Sequence, residues 1–257
     1  MKTLSAAELV TLWERTAHRS PVQQALGLLS AVFPEHSMDR LARLGIGQRD
    51  VLLLTLRERL FGPDLSSVVG CPRCRQPIEL SFKVSDLRVE PAALAGIDAE
   101  DSVLTLTRDG YRVDFRMPNS LDLASIKTGA DVNEAVRQLL SRCIQSVVRT
   151  TGSPGDAEPE NQNDRLPESL LNAVAERMAE AEPQADTRLT LSCPECHYAW
   201  SAIFDIATYL IKEIQRYVKH LLEEVHHLAR AYGWREADIL AMTPMRRRAY
   251  LQMLGLA

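Results

Sequence analysis

The chain has no run approaching the roughly 18 consecutive apolar residues of a membrane-spanning helix. Its nearest approach, from about Trp200 to Ile211, is too short and contains Asp205. The N-terminal MKTLSAAELVTLWERTAHRS lacks the unbroken apolar core of a signal peptide, because Glu8, Glu14, Arg15 and Arg19 interrupt it. These absences predict a cytoplasmic protein at its site of synthesis, with no membrane partner. Excess positive charge is also missing: 30 Lys and Arg face 34 Asp and Glu, for a formal net charge of −4. Such a balance attracts no polyanion over the whole surface, so nucleic-acid binding would need a local basic patch. None of GxGxxG before a helix, GxxxxGK[ST], HExxH or GxSxG occurs, and Gly45-x-Gly47 is too short for a phosphate loop. No nucleophile–base pair is apparent. Neither catalysis nor a small-molecule substrate is expected.

What is present is enough apolar sequence for a sizeable core, 46% of 257 residues, and a distinctive use of cysteine. Four of the five cysteines form two CPxC pairs, Cys71-Pro-Arg-Cys74 and Cys193-Pro-Glu-Cys196. In a cytosolic chain, paired cysteines point to metal or redox chemistry before a disulfide framework. Two residues between thiols let both sulfurs reach one ion from a tight turn, and the proline stiffens that turn. Four thiolates suit a closed tetrahedral zinc site, so Cys71, Cys74, Cys193 and Cys196 are expected to hold one structural Zn2+. The competing reading, a redox CxxC, expects a strand entering a helix, whereas both pairs here run into strand-like sequence. The separation is unusual, with 118 residues between Cys74 and Cys193, so an ion there closes a long stretch of chain. Cys143 reads as a small buried hydrophobe.

Periodicity places these knuckles. Capping boxes at Ser5/Glu8 and Ser20/Gln23 open two helices, and the leucine-rich QRDVLLLTLRERLFGP makes another that ends at Gly62. Alternation over 78–84, 103–108 and 111–117 gives strands, the last two joined by Asp109-Gly110 as a hairpin. Helices are expected at 120–129, 131–149 and 167–181, where Val136, Leu140, Cys143 and Val147 share a face. Residues 150–166 read as a solvated, mobile acidic loop. The stripe Ile206, Leu210, Ile214, Tyr217, Leu221, Val225, Leu228 and Tyr232 marks one long helix ending at Gly233. The fold class is α+β, mostly helical, with a small antiparallel portion forming a composite zinc ribbon. The segments are 1–64 (helical), 65–118 (first knuckle and hairpin), 119–182 (helical, with the acidic loop) and 183–257 (second knuckle and long helices), expected as one integrated domain.

Two further groups invite functional readings. His220, Glu224 and His227 lie along one helix face, but without a matching motif on a second helix they read as a polar outer surface. Arg246, Arg247 and Arg248 form a short basic run suited to an acidic partner surface or to plain solvation. The segment IGQRDVLLLTLRERLFGP followed by CPRC and a strand ending VSDL resembles the tail baseplate proteins of T-even-type contractile phages and related bacterial contractile injection systems. The residues that carry it are Gly47, Arg49, Asp50, Arg57, Gly62, Cys71 and Cys74, with YRVDFRMP through Pro118 as a further block. The part from CPEC through YGWREADILAMTPMRRRAYLQML is similar to longer members linked to injection systems. The resemblance implies a non-catalytic baseplate component or a chaperone of hub assembly. Its implied partners are other baseplate, hub or spike proteins, met in the cytoplasm or in a virion or injection particle. A zinc-ribbon nucleic-acid or transcription-associated module is the alternative. It requires a basic face at the knuckles, and Arg73, Arg75 and Lys83 at the first are opposed by Glu195 and Asp205 near the second.

Overall fold

The computed structural model describes residues 1–89, 97, 103–126, 129, 131–150, 157–159 and 166–256. The chain divides into two compact units, one of residues 1–37 with 206–257 and one of residues 38–205.

The first unit is helical. Helices α1 (Ala6–Thr16) and α2 (Pro21–Val32) both begin with the capping boxes expected at Ser5 and Ser20. They pack against α9 (Ile206–Tyr232), as do α10 (Glu236–Leu240) and α11 (Pro244–Met253). The buried stripe of α9 is Ile206, Ala207, Leu210, Ile214, Val218, Leu221, Val225 and Leu228. Val218, rather than Tyr217, continues the stripe, and Tyr232 lies outside it. Gly233, at φ 65°, ends the helix in a left-handed residue that costs glycine little.

Arg247 corrects the expectation of a solvated basic run. It is 2% exposed, its Nε donates to Glu224 at 2.8 Å and its Nη1 to the Met242 carbonyl at 2.8 Å. The guanidinium is accommodated because charge and donors both find partners inside the unit. His220 and His227 remain exposed, so the structure draws Glu224 into an ion pair that joins α9 to α11.

The second unit holds all eight strands found among the described residues. After α3 (Met38–Arg43) and α4 (Ile46–Phe61) comes a hairpin of β1 (Asp64–Gly70) and β2 (Pro77–Lys83). VSDL, read as the end of a strand, is instead the short helix α5 (Val84–Leu87), with Asp86 capping it through the Lys83 amide. A four-stranded antiparallel sheet runs β3 (Leu104–Arg108), β4 (Tyr111–Phe115), β5 (Ile144–Thr150), β6 (Ala157–Pro159). Asp109 and Gly110, at φ 52° and 78°, make the tight turn read from the DG pair.

Helix α6 spans Ser120–Ser125 and α7 spans Val132–Cys143. The expected continuation of α7 to 149 is overturned. Ile144–Thr150 is β5, because its β-branched run pairs with β4, Val147 opposite Val113. Val136, placed on the buried face in the sequence reading, is 45% exposed. The acidic loop expected over 150–166 lies outside the described residues, apart from its two ends and β6. Helix α8 (Glu168–Ala181), a 3₁₀ turn (Pro183–Asp186) and a second hairpin, β7 (Arg188–Ser192) with β8 (Ala199–Ile203), complete the unit. One apolar cluster of the unit gathers Val113, Phe115, Leu140, Cys143, Val147, Leu170, Val174 and Met178. Burial there pushes the Cys143 thiol up to about 11, consistent with an inert core cysteine.

A candidate metal centre at the tips of two hairpins

The two knuckles are built alike. Six residues separate Gly70 from its partner Pro77 and Ser192 from its partner Ala199, so each CPxC sits at the tip of a two-stranded hairpin. In the first, the Cys71 amide donates to the Gln76 carbonyl at 2.9 Å and the Arg75 amide to the Cys71 carbonyl at 2.9 Å. In the second, Cys193 donates to Tyr198 and His197 donates to Cys193, each at 3.0 Å. The fifth residue of each turn takes the left-handed conformation, Arg75 at φ 63° and His197 at φ 56°. A non-glycine residue there costs about 1–2 kcal/mol, so each turn is held by something besides its own backbone preference.

The hairpins also meet at their bases, where Phe82 of β2 and Phe204, just after β8, pack edge to face with ring centroids 5.6 Å apart. At the tips the four sulfurs converge. Cys71 Sγ lies 3.7 Å from Cys196 Sγ, and Cys74 Sγ lies 3.6 Å from Cys193 Sγ, so each close pair crosses between knuckles. All four lie within 4.8 Å of one another, and all are free thiols. A tetrahedral thiolate site with metal–sulfur bonds of about 2.3 Å has sulfur–sulfur edges of about 3.8 Å. The four cysteines can therefore hold a metal ion. Cys71 and Cys193 are buried, Cys196 is partly covered and Cys74 is exposed. Burial raises the Cys71 thiol, but the amides of Cys74 and Arg73, directed at its sulfur, outweigh this and bring it down to about 6. At Cys74 the Gln76 amide lowers the thiol, while desolvation and the three neighbouring sulfurs push it up to about 12. Four thiolates at this spacing repel one another, and a bound cation supplies the missing positive charge.

The family model described as T4 bacteriophage base plate protein matches residues 15–210, more than three quarters of the chain. The chain belongs to that family. Curated proteins and solved structures gave no match. In this baseplate-family protein, the segment 45–62 that carried the resemblance proves to be structural. Gly45 and Gly47 admit the Glu182 side chain to the start of α4: a Cβ on Gly47 would lie 2.5 Å from Glu182 Cγ and 3.0 Å from the Ala185 amide nitrogen. Glu182, 6% exposed, accepts from the Gln48 amide at 3.1 Å and so caps a helix 134 residues before it. Desolvation raises the Glu182 carboxyl above its ordinary range, against the pull of the Gln48 and Gly47 amides and Arg49.

Arg49 donates to Asp50 at 2.8 Å and reaches Ser120 at 3.5 Å. Burial pushes Asp50 up to about 6, outweighing Arg49, with Asp205 and Glu182 adding repulsion. Arg57, buried, donates to the Gly62 carbonyl at 2.8 Å and fixes the end of α4. The baseplate family's second block leads into a charge cluster that the sequence reading missed. Asp122, its side chain 1% exposed, accepts from Arg116 Nη1 at 2.6 Å and Nη2 at 2.9 Å, from Arg142 Nε at 3.1 Å and from the Asn119 amide at 3.0 Å. Desolvation raises the Asp122 carboxyl, but these donors prevail and hold it below the usual range. The available signal was local: Asn119 followed by Asp122 makes a capping box that draws an acid inward at the start of α6.

Proposed function

We propose that the protein is a non-catalytic scaffold of a contractile-tail or phage-tail-like injection-system baseplate, with one structural Zn2+ on Cys71, Cys74, Cys193 and Cys196. The observation that carries this reading is the convergence of four sulfurs from two matched hairpins across 118 residues, in a chain of the baseplate family. Four cysteine ligands close a zinc tetrahedron and leave no position for a reacting water, so the ion's contribution is to folding rather than to chemistry. Family membership implies association with other baseplate proteins. The work of the scaffold is to offer rigid surfaces to them and to hub or spike proteins, as a resident component or as a chaperone of hub assembly. A nucleic-acid role is disfavoured by charge: residues 38–205, which contain both knuckles, carry 19 Lys and Arg against 26 Asp and Glu.

Metal analysis of the purified protein is expected to give one zinc per chain, and loss of that zinc in Cys193→Ser. Stoichiometric zinc undiminished by the substitution would overturn the composite site. Mass spectrometry of purified particles, with co-purification from assembling cells, separates the two places in the sequence of assembly. A resident component is found in finished particles. A chaperone is found only with free hub or spike proteins. Absence from both would overturn the reading.

A further inference from the structure

The helical unit carries a basic strip that its own residues leave unanswered. Lys212, Arg216 and Lys219 stand at i, i+4 and i+7 on α9, with Gln215 at i+3, so they share one face about 10 Å long. Together with Trp13 of α1 and Ala17, just after it, they line a groove of about 600 Å³. The three cations are exposed, while Trp13, Ala17 and Gln215 are half-buried. Among the described residues, neither lysine has an ion-pair partner, and Arg216 donates only to its own helix, at the Lys212 carbonyl. The buried cations Arg49, Arg116 and Arg247, by contrast, each meet a carboxylate. Like charges one turn apart repel and cost helix stability. The strip begins immediately beyond residue 210, where the family match ends.

We propose that this groove docks an acidic amphipathic helix of a partner protein. The partner's apolar stripe lies against Trp13 and Ala17, and its carboxylates, spaced by one turn, meet Lys212, Arg216 and Lys219. A helix suits the groove for three reasons. Its floor is an indole and a methyl between two helices, the surface into which an apolar stripe packs. The cations repeat with the helical period, as carboxylates on an opposing helix do. The positive field is also short: residues 1–37 and 206–257 carry 11 Lys and Arg against 8 Asp and Glu, a net of +3. A nucleic-acid strand asks for an extended basic track and successive stacking rings, and here a single indole stands beside three cations. The proposal deepens the reading of the protein as one that works through protein contacts. Its test uses no baseplate protein, so failure here leaves that reading standing.

The probe is a fluorescent, helix-forming peptide with glutamates one turn apart and a leucine stripe, titrated by anisotropy against the full chain. Binding is expected at low salt and weakens as salt rises. Lys212→Glu with Lys219→Glu is expected to lower affinity at least about tenfold. Arg246→Glu with Arg248→Glu changes the net charge equally at exposed sites and is expected to lower it less than about twofold. Lys212→Gln with Lys219→Gln, which only removes charge, falls between the two. Equal losses in the two reversal variants, with folding unchanged by circular dichroism, would overturn the proposal. So would a single-stranded oligonucleotide or anionic phosphatidylglycerol vesicles that bind more tightly than the peptide and with the same dependence on Lys212 and Lys219.

Discussion

The helical unit and the strand-bearing unit solve the same problem with different chemistry. Residues 1–37 and 206–257 contain no cysteine and carry a net charge of +3, and the described residues among them are all helix and loop. Their cohesion comes from the apolar face of α9 against α1 and α2, with Arg247–Glu224 the buried ion pair among them. Residues 38–205 carry −7 and hold all five cysteines. They combine buried apolar residues of α3, α4 and the four-stranded sheet with buried charges at Asp122 and Asp50 and with the four-sulfur centre. A metal tetrahedron joins four side chains at once, so loss of one ligand should reach both hairpins of the second unit, whereas loss of one apolar contact on α9 is felt by its immediate neighbours.

The largest break should come from the sulfurs. Stripping the metal with a chelator, or Cys193→Ser, is expected to destabilise residues 38–205 on the order of 5 kcal/mol. That is less than the ~10–16 kcal/mol with which zinc-finger peptides bind their ion, because another core survives here. Hydrogen exchange should quicken in β1, β2, β7 and β8 and stay slow in α9. Equal quickening of α9 would erase the contrast between the units.

Next is Asp122→Ala, which leaves the Arg116 guanidinium and the start of α6 without their shared acceptor. Breaking a buried pair from one side costs about 3–5 kcal/mol. The pH dependence has a definite sign. The folded carboxyl titrates below its unfolded value, so its stabilisation is complete above about pH 4 and is lost as pH falls through the folded value. Denaturant midpoints measured between neutral pH and about pH 2.5 should show that loss in the native protein, and less of it in the variant. Gly47→Ala tests a smaller effect. Glycine to alanine inside a helix normally gains about 0.5–1 kcal/mol. Here the added Cβ meets Glu182 and the Ala185 amide, and a loss of about 2 kcal/mol is expected in thermal melts. The smallest change runs the other way. Arg75→Gly and His197→Gly should each stabilise by about 1 kcal/mol by relieving a left-handed φ, with metal content unchanged.

The helical unit was the more legible of the two. Capping boxes at Ser5 and Ser20, and a stripe repeating every three to four residues, are local signals, and the structure follows them. The knuckles were legible for a related reason, because a thiol pair two residues apart declares its purpose without reference to its partner. What escaped was non-local. Leu140, Cys143 and Val147 fit a helix face as well as they fit a turn into a strand, and only the edge of β4 decides for the strand. Glu182, Asp122 and Arg247 belong to residue types that normally face water. Glu182 and Arg247 find the groups that draw them inward far along the chain, and two of Asp122's donors, Arg116 and Arg142, lie outside its capping box. Charge burial is a property of pairs, and pairs separated by 20 to 134 residues leave little trace in either neighbourhood.

The helical unit joins residues 1–37 to residues 206–257, and this sets an order of events on the ribosome. At about 5–20 residues per second, α1 and α2 emerge roughly 10–40 s before the end of α9. During that interval α1 and α2 can pack on each other, but the sides that α9 covers have no partner, and every residue of the intervening unit is made before α9 begins. The strand-bearing unit, with both hairpins and all four sulfurs, is therefore free to finish first. Helices α1 and α2, made before that unit, complete their packing after it, and in that window their α9-facing sides are open to whatever binds nascent apolar helices.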